Sequence, residues 1–177
     1  MILRLSPARL AGLLVAAMLP CAALAAPSEY ELKAAFLVNV QRFVDWPEGD
    51  PAIADIVVVE PDPFGRILDR DANGASLPHA LKVERNAAGQ PAPAARVLFA
   101  GKSSGVAGLD AMASAPRSTL TIGETEEFIA RGGIVWLAIV DKRLHIEINV
   151  DAAARSGLHI SSRLLQIATR RHESEMR

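Results

Sequence analysis

Gly101-Lys102-Ser103 follows an apolar run. That is a setting in which backbone amides at a helix start can cradle phosphate while a lysine neutralises it. The spacing argues otherwise. A phosphate loop needs a glycine five residues before Gly101, and Arg96 stands there, so the segment reads as a polar strand-to-helix turn. His145 and Glu147 are two apart on an alternating run and share one face, as a metal pair or an acid and base would. They remain the best pair for an enzyme reading, although His79, His159 and His172 show no ligand spacing with them. The competing account is the solvated face of a half-buried strand. Ser103, Ser104 and Ser114 lie in no G-x-S-x-G elbow. Glu124, Glu126 and Glu127 resemble paired acids but fall where a helix start favours negative charge. Neither a catalytic set, a metal site nor a cofactor is therefore expected, and the chain reads as a non-enzyme. Asp45-Trp46-Pro47 places an indole at a helix end, where it either caps the core or leaves one face open for a partner or flat ligand.

The compartment follows from the N-terminus. Arg4 and Arg9 precede an apolar run from Leu10 to Leu19, and small residues up to Ala26 include the A-x-A site Ala23-Leu24-Ala25. This is the pattern of a cleavable signal peptide over residues 1–25, too short to span a bilayer and broken by Pro20. Lipidation at Cys21 stays open as an alternative, although Pro20 stands where Gly or Ala is expected. Removal of the leader takes the one cysteine, so the mature chain has no disulfide, thiol nucleophile or thiolate ligand. It also takes two arginines, leaving 17 basic against 20 acidic residues and a net charge of −3, which offers no basic field for nucleic acid or an anionic membrane. Residues 26–177 have the length of a single domain, and the apolar run Ile134 to Val140 is only strand length, so no membrane span is expected.

Ser28 and Glu31 form a capping box that opens a helix, apolar over most of its circumference and stopped by Pro47. Ala54 to Val59 has the composition of a strand covered on both faces. Asp62 is then expected to cap a short helix with Pro63 at its first position, through Phe64, Ile67 and Leu68. Strands at Leu81–Arg85, Arg96–Ala100 and Thr119–Ile122 bracket a helix at Val106–Ala113, and Thr125 starts another helix that Gly132-Gly133 ends. Ile134 to Val140 and the alternating run from Leu144 to Val150 are joined by Asp141-Lys142-Arg143, a connection so short that the strands must be antiparallel. Asp151 is expected to cap a short helix closed by Gly157, and Ser161 or Ser162 a final helix. The alternation predicts an α/β protein, a three-layer α/β/α sandwich with a mixed sheet ending in a C-terminal β-hairpin and helix.

Several of these pieces, in this order, resemble one family. They are Tyr30 to Leu37, Arg42-Phe43-Val44-Asp45-Trp46-Pro47, Asp62-Pro63-Phe64-Gly65, Val97-Leu98-Phe99, Gly132-Gly133-Ile134 and Glu147-Ile148-Asn149-Val150. Ala153, Gly157-Leu158, Ile160-Ser161-Ser162, Leu164-Leu165 and Ala168 complete them. Together they are similar to the YfiR-like periplasmic proteins. The resemblance implies a small α/β domain in the periplasm, often a homodimer, that does no chemistry. Its best-known members restrain an inner-membrane diguanylate cyclase by engaging its periplasmic domain, which tunes cyclic di-GMP signalling and biofilm formation. Some members carry disulfides that couple function to redox state, and here no cysteine survives cleavage. The partner-binding segment expected on this reading is Leu158, Ile160, Ser161, Ser162 and Leu164, with ordinary helix packing as the competing account. The runner-up function is a periplasmic sensor of a small ligand, in a pocket that includes Trp46, Arg66 or Arg155.

Overall fold

The computed structural model describes residues 26–49, 52–74 and 78–172. The leader expected at 1–25, with Cys21, lies outside them. Helix α1 runs over Glu29–Val40 and opens on the predicted capping box: the Glu31 N–H donates to Ser28 Oγ at 3.3 Å and the Ser28 N–H to Glu31 Oε2 at 2.7 Å. The helix stops well before Pro47. A 3-10 turn at Gln41–Phe43 leads into β1, Val44–Asp45, which pairs antiparallel with β8, His159–Ile160, a two-residue partner that no local pattern announces.

The main sheet has seven strands: β2 (Ala54–Val59), β3 (Val83–Asn86), β4 (Ala95–Ala100), β5 (Leu120–Gly123), β6 (Val135–Val140), β7 (Arg143–Asn149) and β9 (Arg170–His172), in the order β3-β2-β4-β5-β6-β7-β9. From β3 to β6 the strands are parallel; β7 turns back antiparallel to β6, and β9 runs parallel to β7. The parallel part has doubly wound order, its direction of progress reversing between β2 and β4. The two-residue hairpin turn holds Asp141 at φ 49° and Lys142 at φ 60°, the left-handed pair whose twist suits antiparallel strands.

Helices lie on both faces, which makes the molecule a three-layer α/β/α sandwich around a mixed sheet. One face carries α1, α2 (Arg66–Ala72), α5 (Val150–Arg155) and α6 (Ser162–Ile167). Their inward residues Leu37, Leu68, Ala152 and Leu164 pack on Ile56, Val97, Leu120, Leu137 and Ile148. On the other face, Ala111 of α3 (Gly105–Ser114) and Phe128 of α4 (Glu126–Ala130) close a smaller core over Val57, Val59, Leu98 and Ala100. The β-branched run of β2 is thus buried on both sides, as its composition predicted.

Three local expectations need correction. Asp62 does not cap α2; its Oδ1 accepts the Phe64 N–H at 2.7 Å in a tight turn, and the helix starts later, with Gly65 at the cap and no side-chain hydrogen bond there. Asn149, not Asp151, caps α5 by accepting the Ala152 N–H at 2.9 Å, because β7 runs straight into the helix. The final helix is followed by β9, so the order does not end with a helix. Ser161, rather than Ser162, caps α6.

Candidate functional site

Doubly wound sheets take ligands in the crevice outside the carboxyl ends of their strands, where the order reverses. Here that crevice is filled by the chain itself. Lys33, on α1, is 2% exposed, and its ammonium donates to carboxylate oxygens of Glu29 and Glu124. The Glu124 side chain, just past β5, is itself 2% exposed, and its second oxygen accepts the Lys102 N–H at 2.7 Å. One carboxylate therefore ties α1 to the loops after β4 and β5. The Tyr30 ring lies 5.1 Å from the ammonium and meets Phe64 edge-on, and Phe64 meets Phe99 in turn. A Cβ on Gly101 would sit 3.3 Å from Glu124 Oε2 and 3.5 Å from Pro63, so the wall of the crevice closes on glycine.

Burial alone would pull the Lys33 ammonium below the ordinary 10.5, but its hydrogen bonds to Glu124 and Glu29 outweigh that and hold it above. The hydrogen bond from Lys33 holds the Glu29 carboxyl below its ordinary 4.5. Burial pushes the Tyr30 phenol above 10.0, with the Glu124 charge adding to it. A lysine kept protonated between two acids has no lone pair to offer as base or nucleophile. Its chemistry here is positioning. Beside it, Arg85 of β3 holds the next loop, donating to Asp62 at 3.0 Å, to Asp69 at 2.7 and 3.1 Å, and to the Gly65 carbonyl at 3.2 Å.

The amino edge of the sheet is more open. Trp46 follows β1 and packs its ring against the larger core. The Arg96 guanidinium stands 5.6 Å from the ring centroid, and together with Asp45, Pro47 and Gly49 they line a cleft of about 470 Å³. The indole N–H is shielded there without an acceptor. The other two expected ligand residues lie elsewhere. Arg66, at the start of α2, lines a separate cleft of about 300 Å³ with Ile67 and Arg70, while Arg155 is exposed in the last turn of α5. Arg66 follows the carboxyl end of β2 whereas Arg96 opens β4, so the Trp46 and Arg66 clefts are at opposite edges of the parallel strands.

The expected partner segment is mostly turned inward. Leu158, Ile160 and Leu164 belong to the larger core; Ile160 pairs with Val44 across β8 and β1, and Leu164 is the buried residue of α6. Ser161 is committed as the cap, accepting the Leu164 N–H at 3.3 Å; Ser162 is exposed. Of the other sequence candidates, Lys102–Ser104 is a 3-10 turn, with Ser104 Oγ donating to the Gly101 carbonyl at 2.6 Å. Glu126 and Glu127 lie in the first turn of α4 as expected, but Glu124 does not serve that helix; it is the buried partner of Lys33. His145 and Glu147 do share a face, and Glu147 meets Arg170 at 3.6 Å.

A family model described as YfiR/HmsC-like matches residues 30–169. The chain belongs to the YfiR/HmsC-like family. Membership spans every element described above except the last strand, and it ties the chain to a family of periplasmic regulators of diguanylate cyclase signalling. No curated protein matches the chain. Among solved structures, this YfiR/HmsC-like chain is similar to a conserved domain protein from Vibrio cholerae O1 biovar El Tor. The TM-score is 0.58 at 17% identity, over 81% of this chain and 60% of that one. That likeness concerns the fold, and the present chain spans about 60% of its neighbour's length. No helix among the described residues is long and apolar enough to cross a membrane.

The Lys33 cluster escaped sequence reading. A lone lysine among apolar residues in a helix apolar most of the way round was the available signal, since such a position has little solvent to reach.

Proposed function

We propose that this protein is exported, loses residues 1–25, and acts in the periplasm as a non-catalytic regulator that binds and represses the periplasmic domain of an inner-membrane diguanylate cyclase. The family match over residues 30–169 carries this reading. The geometry supports it in one respect: the crevice where a doubly wound domain would hold a substrate is occupied by Lys33, Glu124, Pro63 and Gly101. Repression then works by population shift, the bound regulator favouring an inactive state of the cyclase. Deletion of the gene raises cyclic di-GMP and biofilm formation, and crosslinking in intact cells recovers a membrane cyclase. Unchanged cyclic di-GMP together with no cyclase recovered would sink the reading.

The Trp46 cleft favours a second reading, a small-ligand sensor, because it combines an indole face and a guanidinium. A thermal-shift screen of periplasmic metabolites decides between the two. A ligand at a hundred times its dissociation constant adds about 2.7 kcal/mol to stability, and loss of that gain in Trp46→Ala would place it in the cleft.

A further inference from the structure

Helix α3 follows β4 and α4 follows β5, so both start at the carboxyl edge of the sheet, on the face away from α1. A cleft of about 250 Å³ opens between them, reached by Gly101 and Thr125. This is the edge where a doubly wound sheet takes its ligands. Lys33 and Glu124 close it on the α1 side, but on the α3 and α4 side it stays open.

The lining is apolar at the bottom and at the mouth. Phe128, 2% exposed, forms the floor, Leu109 is half-buried on the α3 wall, and Val106 stands 72% exposed at the opening. A Cβ on Gly108 would lie 2.3 Å from Ser104 Oγ and 3.0 Å from the Ala100 Cβ, so α3 sits tight on β4 and the free space lies towards α4. The charge of the two walls is one-sided. Asp110 lies on α3, Glu126 and Glu127 lie in the first turn of α4, and Arg131 follows that helix. Arg131 is paired with Glu127 at 2.8 Å. Asp110 and Glu126 remain, both exposed and neither with a hydrogen-bond or ion-pair partner among the described residues. Lys102, in the turn before α3, acts on the Glu29 carboxyl, on the α1 side.

We propose that this cleft binds a small primary amine on a saturated hydrocarbon body, with the ammonium on Asp110 and the body against Val106, Leu109 and Phe128. The apolar lining takes the body, and the uncompensated acids select a cation over a neutral or anionic head. The volume is below that of sites for drug-sized molecules, which limits the body to a few carbons. The site lies at the opposite edge of the parallel strands from the Trp46 cleft, and it stands whether or not the protein regulates a cyclase.

The test titrates the protein purified after export with cyclohexylmethylamine and with 3-methylbutylamine, followed by calorimetry and by amide chemical shifts. Cyclohexylmethanol and cyclohexanecarboxylate are the neutral and anionic counterparts. The variants are Asp110→Asn, the exposed control Asp141→Asn in the hairpin turn, and Trp46→Ala. The cleft predicts saturable binding of an amine, with shifts concentrated in α3 and α4, and at least about tenfold weaker binding of the alcohol and the acid. Asp110→Asn brings the amine down to the level of the alcohol, while Asp141→Asn and Trp46→Ala bind as wild type. Neither amine saturating, the alcohol binding as well as the amine, or wild-type affinity in Asp110→Asn overturns the site. Loss of binding in Trp46→Ala with Asp110→Asn unaffected overturns it in favour of the Trp46 cleft. None of these outcomes bears on the recovery of a cyclase by crosslinking, so the regulator reading stands or falls separately.

Discussion

Lys33 can be buried because every element around it helps to keep its charge: Glu29 one helical turn earlier, Glu124 across the crevice, and the Tyr30 ring above. Removing the ammonium alone leaves the 2% exposed Glu124 side chain without its cation. Lys33→Met should therefore lower the unfolding free energy by about 3 to 5 kcal/mol in urea titrations. Glu124→Gln should cost less, because Lys33 keeps Glu29 and the amide oxygen can still accept the Lys102 N–H. The pH dependence follows from the two directions of shift. Glu29 titrates lower in the folded state, so its contribution is present above 4.5 and fades as pH falls through its lowered value. Lys33 titrates higher when folded, so its contribution holds below 10.5 and fades as pH climbs through its raised value. The urea midpoint should fall in both of those outer ranges, and Lys33→Met should reduce the alkaline fall. Phe128 poses the opposite problem, with no spare room. A Cβ on Gly123 would lie 2.3 Å from its ring and one on Gly133 equally close. Gly123→Ala should cost about 1 to 3 kcal/mol by overpacking, and Phe128→Leu in the same chain should recover part of it. Residues governed by near neighbours, such as the Ser28 and Thr125 caps, were legible in the sequence. Lys33 was not, because the acid that makes its burial tolerable is 91 positions away.

The same division of local from distant runs through the elements. Strands β2, β4, β6 and β7 were legible because four or more residues with one pattern outvote any single exception. Strands β1, β8 and β9 have two or three residues, too few to show a period, and exist because a partner strand supplies their hydrogen bonds. Helix α5 shows how an adjacent element decides between two good caps. Asn149 and Asp151 are both cap-forming types, but β7 stays extended through Asn149, which puts that side chain at the first turn. Asn149→Ala should accordingly cost about 1 kcal/mol in thermal unfolding, and Asn149→Asp should retain most of the stability. The expected partner segment shows the same division. Leu158, Ile160 and Leu164 stand beside a helix start in the sequence, while the pairing of β8 with β1 and the packing of α6 set them in the larger core.

At the scale of the whole molecule, the two cores share their central strands. Ile56 and Val58 serve one face while Val57 and Val59, between and beyond them, serve the other. Loss of β2 therefore removes the floor of both layers at once. Far-UV circular dichroism and indole fluorescence should therefore report one coincident urea transition, with separated midpoints as the result against it. The Lys33–Glu124 pair adds an ordering to assembly. Helix α1 is the first described element to be made, yet the acid that neutralises its lysine follows β5, well over half-way along the chain. Docking α1 earlier would strand an ammonium with only the partly exposed Glu29 for company. A chain emerging from its N-terminus thus lacks the acid that neutralises its opening helix until residue 124 has appeared.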